Sequence, residues 1–235
     1  MKTIIFDVDD TIYNLMEPFE RAHMDLYADQ TDADCEELFK ASRVHSDVAF
    51  YRVAEGKMPK EDEFAYRIIH SYQDVGIEVS KEEAKVFEEK YRYYQTRIHV
   101  PDGIKQILDL CVEKQIPIAV LTNGRVQNQG KKMDVLGLEH WFKKEHLFIS
   151  EAIGATKPSR EAFLAVQQAL DVEPENTWFI GDTFEVDIDG ACGAGWHSIW
   201  YNHRKRSMPE GEAKPDYEVR TEGELFQVIQ KIIFE

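Results

Sequence analysis

The sequence predicts an α/β fold: a parallel sheet covered by helices on both faces, with an all-helical domain inserted into it. Three observations carry this. Short β-branched apolar runs alternate with helix-period segments along most of the chain. The stretch 15–98 breaks the alternation, because it holds no credible strand. The alternation then resumes near Pro101-Asp102-Gly103. The expected organisation is residues 1–14 and 99–235 as one α/β core, with 15–98 as the helical insert.

The elements follow in order. Residues 2–8, Lys-Thr-Ile-Ile-Phe-Asp-Val, are apolar, β-branched and too few for a helix, so they read as a buried strand ending in acid. The insert carries helix-period segments over 17–29, 34–54, 60–75 and 81–97. Lys57-Met58-Pro59 and Gly76 interrupt that series, and Ser80 with Glu83 forms a capping box for the last helix. A helix is expected over 102–114, then a strand over 116–122 that Asn123-Gly124 punctuates. A helix over 127–137 precedes a short strand at Phe148-Ile149. A helix over 159–170 precedes the strand 177–181, and a helix over 186–195 precedes the strand 198–201. His203 to Pro215 is polar, carries Arg204-Lys205-Arg206 and two prolines, and reads as a surface loop. A final helix is expected over 222–233.

Composition excludes several functions. The 44 acidic residues outnumber the 28 Lys and Arg, a net charge of −16 that disfavours binding to nucleic acid or to an anionic membrane. With 43% hydrophobic residues the chain is globular rather than disordered. No apolar run approaches the roughly 20 residues needed to span a bilayer. The first residues turn acidic at Asp7, too early for a secretory leader. Cys35, Cys111 and Cys192 are odd in number and widely spaced, so neither a disulfide framework nor a zinc site is expected. A cytoplasmic monomer or homodimer is the simplest expectation.

The chemistry sits where strands end. Asp7 and Asp9 follow the first strand, two residues apart and on the same side of an extended chain. The strand 177–181 ends in a second acid group, Asp182 with Asp187. In open parallel sheets, ligands bind beyond the carboxyl ends of the strands. Two acid groups at one sheet edge repel unless a positive charge lies between them. A hard divalent cation with oxygen ligands, Mg2+, meets that need. Thr122 and Asn123 at the end of the second strand offer a hydroxyl and backbone N–H groups, which are phosphate ligands. Lys157, before Pro158, can neutralise charge and hold a phosphoryl oxygen.

The ordered set Asp7-Val8-Asp9-Asp10-Thr11, Thr122-Asn123-Gly124, Lys157-Pro158 and Gly181-Asp182 with Asp187 resembles the haloacid dehalogenase (HAD) superfamily of aspartyl-phosphate hydrolases. The match spans essentially the whole chain, and the helical insert resembles the family's cap on a Rossmann-like core. The resemblance implies that Asp7 is the nucleophile and Asp9 the general acid and base. Mg2+ would be held by Asp7, the backbone carbonyl of Asp9, Asp182 and Asp187. Thr122, Asn123 and Lys157 would hold the phosphoryl group. Crowded carboxylates raise one another's proton affinity, so Asp9 is expected to be protonated near neutral pH.

An acid at position 9 favours phosphoester chemistry, since the dehalogenases proper lack one there. The implied activity is hydrolysis of a small phosphomonoester, with a nucleotidase-like substrate such as a nucleoside 5'-monophosphate in view. A sugar phosphomutase keeps the same acids and is the alternative. A non-catalytic binding protein of the same fold is disfavoured by the complete motif set. Tyr13 and Asn14 beside the first motif, and Arg52 and Lys57 in the insert, are the candidates for substrate specificity.

Overall fold

The computed structural model describes residues 2–28, 31, 33–211 and 213–234. The chain forms two compact units, Leu15–Ile98 and Met1–Asn14 with His99–Glu235. The first unit is helical: α1 (Glu17–Tyr27), α2 (Cys35–Ala54), α3 (Glu63–Gln73) and α4 (Lys81–Gln95). Local chemistry sets their ends. The Asp34 carboxylate accepts from the Glu36 and Glu37 amides to start α2. Ser80 and Glu83 close the capping box that starts α4. Gly76, at φ +79, takes the left-handed turn after α3. The inward faces bury Phe19, Leu38, Ile68, Tyr72 and Phe87 in one apolar core. Phe19 and Phe87 have ring centroids 5.1 Å apart, and Tyr27 and Tyr72 are 4.8 Å apart. Most aromatics of this stretch are thus spent on its own packing, while Phe50, Tyr51 and Tyr93 are exposed.

The second unit is the α/β core. Its strands are β1 (Thr3–Phe6), β2 (Ile118–Thr122), β3 (Leu147–Ile149), β4 (Thr177–Gly181), β5 (His197–Tyr201) and β6 (Tyr217–Val219). They form one sheet in the order β3-β2-β1-β4-β5-β6. Every neighbouring pair is parallel. Every residue of β1 and β2 is buried, as a sheet covered on both faces requires. The covering helices are α5 (Asp102–Glu113), α6 (Val126–Leu136), α7 (Ser150–Ile153), α8 (Arg160–Leu170), α9 (Asp189–Ala194) and α10 (Glu222–Phe234). Phe163, Phe179 and Trp196 pack edge to face beneath α8 and α9.

The chain runs outward from β1 to β2 and β3, then crosses back to β4 on the other side of β1. Strand order therefore reverses at β1. Phe6 sits in register with Val120 on one side and Ile180 on the other. The carboxyl ends of β1, β2 and β4 so reach the same edge, the switch point where open α/β sheets bind ligands.

Three elements differ from the sequence expectation, the first being α7, which at four residues is too short to show a helical period. β6 was not expected; it is a three-residue edge strand, and only Val219 is fully buried, so its apolar signal is too weak to read. The helix expected over 186–195 instead begins with a widened π-type turn, Phe184–Ile188, before α9. Such turns often occur at functional positions. Here the turn carries Asp187 back toward the end of β4, where Thr183 N donates to its Oδ2 at 3.0 Å.

Candidate active site

Four side chains converge at the carboxyl edge of the sheet. Asp7 follows β1, Asp182 follows β4, Asp187 comes from the π-type turn, and Lys157 from the loop after α7. Lys157 Nζ lies 2.7 Å from Asp7 Oδ1 and 2.6 Å from Asp187 Oδ1. One oxygen from each of Asp7, Asp182 and Asp187 falls within 4.8 Å of the others, and all three residues are buried. Gly181 permits this. A Cβ there would stand 2.4 Å from Asp187 Cγ.

The charges do not balance. Of the three buried carboxylates, Asp7 and Asp187 share the Lys157 ammonium, while Asp182 is met by Arg206 Nη1 at 3.0 Å from Oδ2, from the partly exposed rim. Burial, and secondarily the Asp187 charge, push Asp182 up to about 8. Burial also pushes Asp7 up to about 7, with Lys157 opposing and Asp187 and Asp9 adding to the rise. Burial works against the charge of Lys157, but Asp187 and Asp7 outweigh it and hold the ammonium above its ordinary value. A cluster of hard oxygen donors with excess negative charge, dry and closely spaced, fits a divalent cation of the Mg2+ type.

Asp9 stands apart from this trio. Its Oδ1 accepts from Tyr13 Oη at 2.6 Å and from Lys132 Nζ at 2.6 Å. Its Oδ2 accepts from Lys132 Nζ at 2.8 Å and from Gln129 Nε2 at 3.0 Å. Burial raises its proton affinity, but Lys132, with the hydrogen bonds from Lys132, Tyr13 and Gln129, outweighs it and leaves the group below the ordinary carboxylate value. These contacts favour the charged form of Asp9, against the expectation of a protonated one. The raised carboxyls are Asp7 and Asp182 instead, because the nearest cation to Asp9 is a lysine that the motifs do not include. With its carboxylate turned to Lys132, Asp9 can offer a cation only its backbone carbonyl.

The other expected residues divide. Thr122 is buried at the end of β2. The Asn123 side chain is not turned to a ligand: its Nδ2 donates to Lys157 O at 2.9 Å, and its Oδ1 accepts from Lys157 N at 2.9 Å. It holds the backbone of Lys157, so any contact to an oxyanion falls to its amide. Tyr13 is buried with its hydroxyl on Asp9, and Asn14 Oδ1 accepts from Arg204 at 3.1 Å. Arg52 and Lys57 lie on the helical unit and are exposed; Arg52 sits over the Tyr66 ring, and Lys57 pairs with Glu55 at 2.7 Å.

Three features lay outside the sequence reading. Gln129 and Lys132 on α6 reach Asp9. Arg204 forks onto the Asp10 carboxylate, with Nη2 at 2.7 Å from Oδ1, while His203 Nε2 meets the Asp10 carbonyl at 3.0 Å. Asp10 sits at φ +61, a conformation acidic residues tolerate better than most, and these contacts tie it down. Arg206 reaches Asp182. The segment read as a surface loop thus returns two arginines to the acid clusters, and the run Arg204-Lys205-Arg206 in so acidic a chain was the available signal.

This fold and site define a hydrolase of known architecture. The chain belongs to the haloacid dehalogenase-like hydrolase family, whose model matches residues 1–195. It is 29% identical to the HAD-hydrolase YfnB of Bacillus subtilis over 231 residues, 97% of this chain and 95% of YfnB. The crystal structure of YfnB bound to magnesium superposes with a TM-score of 0.68 at 28% identity, covering 97% of this chain and 98% of that one. Identity is 26% to the glyceraldehyde 3-phosphate phosphatase of Methanopyrus kandleri, over 99% of this chain and 98% of that protein. It is also 26% to the pyrimidine 5'-nucleotidase PynA of Streptococcus pneumoniae, over 100% and 97%. Among the described residues, no helix is long and apolar enough to cross a membrane.

Proposed function

We propose that the chain is a Mg2+-dependent phosphomonoester hydrolase that works through an aspartyl-phosphate on Asp7. The observation that carries this is the buried Asp7, Asp182 and Asp187 trio, gathered around Lys157 at the sheet edge with a separately held acid, Asp9, beside it. Asp7, Asp182, Asp187 and the Asp9 carbonyl are the groups that would hold the cation. When bound, it would offset their charge and that of the phosphoryl group.

The residues then have distinct tasks. Asp7 attacks phosphorus, forming the Oδ–P bond as the bond to the leaving oxygen breaks. Asp9 supplies the proton that oxygen needs. Water then attacks, the Oδ–P bond breaks, and Asp9 takes the proton from water. Asp9 therefore enters the first step carrying a proton, gives it to the leaving oxygen and regains one from water in the second, while Lys132 favours the charged form that stands between the two steps. Thr122, the Asn123 amide and Lys157 hold the phosphoryl oxygens, where positioning and charge dominate the barrier.

Residues 15–98 are read as the family's cap, with Arg52 and Lys57 as its candidate contacts to an anionic substrate. A reducing, cytoplasmic compartment accords with three free cysteines. Similar proteins named for a triose phosphate and for pyrimidine nucleotides support a small phosphorylated metabolite, a nucleoside 5'-monophosphate among them. The net charge of −16 supports a small ester over a polyanion.

The test is phosphate release from p-nitrophenyl phosphate and a panel of nucleotides and sugar phosphates, with Mg2+ and with EDTA. Wild type should turn over only with the metal, and Asp7→Asn should fall to background. An unchanged rate in Asp7→Asn rejects the reading. Isomerised sugar phosphate without net phosphate release marks a mutase instead.

A further inference from the structure

The helix that leaves the Thr-Asn-Gly turn supplies Asp9 with partners that the four motifs do not account for. Gln129 and Lys132 lie three residues apart on α6, so they share one face. Both meet Asp9. Lys132 Nζ spans its two oxygens at 2.6 and 2.8 Å, and Gln129 Nε2 donates to Oδ2 at 3.0 Å. Gln129 is itself fixed, since Nε2 also donates to Asn123 O at 2.9 Å. The glycine of the turn makes room for it. Gly124 has φ +148, and a Cβ there would stand 2.9 Å from Gln129 Cγ.

Asp9 is thus gripped from α6 on one side and from Tyr13 on the other. Turning its carboxylate breaks bonds on both oxygens. The grip is separate from the phosphate and cation groups: Lys157 serves Asp7 and Asp187, while Lys132 serves Asp9. Two lysines so divide the work. One neutralises the site of attack. The other fixes the group that moves protons.

We propose that Lys132, with Gln129, is a positioning residue that holds Asp9 in the orientation from which it exchanges a proton with the leaving oxygen and with the attacking water. The inference rests on the phosphomonoesterase reading above. A lysine that touched the phosphoryl group would affect every ester alike. A lysine that acts through Asp9 affects an ester in proportion to its need for a proton. Nitrophenolate departs without one, phenolate needs it more, and an alkoxide cannot leave without it.

The experiment compares p-nitrophenyl, phenyl and benzyl phosphate in wild type, Lys132→Met and Lys132→Arg. The quantity read is kcat/KM, which covers events through departure of the leaving group and excludes the later hydrolysis of the intermediate. With each enzyme read at its own pH optimum, so that a change in Asp9 protonation does not enter, the loss in Lys132→Met should grow with the basicity of the leaving group, by about tenfold or more between p-nitrophenyl and benzyl phosphate. Lys132→Arg keeps the charge and should recover part of the benzyl rate. Gln129→Leu should show the same trend, more weakly. Lys132 has a side chain 19% exposed, so its replacement leaves the core intact, and a melting curve verifies this. A loss that is equal across the three esters, or no loss, overturns the inference and leaves the hydrolase reading standing. A wild-type chain that releases no phosphate even from p-nitrophenyl phosphate with Mg2+ overturns that reading, and this inference with it.

Discussion

Replacing Asp182 by asparagine should make the metal-free protein less sensitive to rising pH while removing its response to Mg2+. Burial, with Asp187 and Asp7 nearby, pushes Asp182 up to about 8 from an ordinary value of 3.8. Between those values the folded protein keeps a proton that the unfolded chain has lost. Stability from this group is therefore present on the acid side and falls as pH rises toward the folded value. At 1.36 kcal/mol per unit, Asp182 gives up about 2 kcal/mol between pH 6 and pH 8. In a chain of this size that corresponds to roughly 4–8 °C in Tm. In EDTA, wild type should lose that much more Tm than Asp182→Asn over the interval. All four tryptophans, at 141, 178, 196 and 200, lie in the α/β unit, and Trp200 Nε1 donates to the Asp182 carbonyl at 2.8 Å. Tryptophan fluorescence therefore follows that unit alone. Mg2+ at pH 8 should invert the order, because a ligand of the folded state stabilises it by mass action and the variant retains only two of the three carboxylates. Equal pH losses in EDTA, or a full Mg2+ response in the variant, would refute the reasoning.

Two other substitutions address the same cluster. Lys157→Met leaves Asp7 and Asp187 buried without their ammonium; stability should fall by about 3–5 kcal/mol by fluorescence melting in EDTA, with part restored by Mg2+ and turnover lost. Gly181→Ala drives a methyl into Asp187, so stability should fall by about 1–3 kcal/mol and turnover by up to about 100-fold, read by melting and by p-nitrophenyl phosphate hydrolysis.

Much of the architecture is legible in the chain. The strands of the central sheet are short, apolar and β-branched, and burial on both faces makes that signal strong. Asp7, Thr122 and Asp182 stand at the ends of three such runs, so strand ends alone place them at one edge. The capping box at Ser80 and Glu83 is equally local. β6 escaped because an exposed edge strand of three residues carries almost no pattern. The π-type turn at Phe184–Ile188 escaped because its sequence fits an ordinary helix, and only the need to bring Asp187 to Lys157 and Thr183 shows why the turn widens.

The sequence by itself determined which acids stand at strand ends, how the sheet alternates with helices, and which hydroxyl and lysine accompany the acids. Those follow from periodicity and from neighbours a few residues apart. The tertiary structure alone decided who holds whom. Lys132 reaches Asp9, Arg204 reaches Asp10 and Arg206 reaches Asp182 across more than 20 positions of chain in each case. The protonation of the site follows from those partners. Crowding by itself would place a proton on Asp9. A lysine delivered by α6 lowers the proton affinity of Asp9, and the affinity rises instead on Asp7 and Asp182, where burial outweighs the one opposing cation beside each, Lys157 and Arg206.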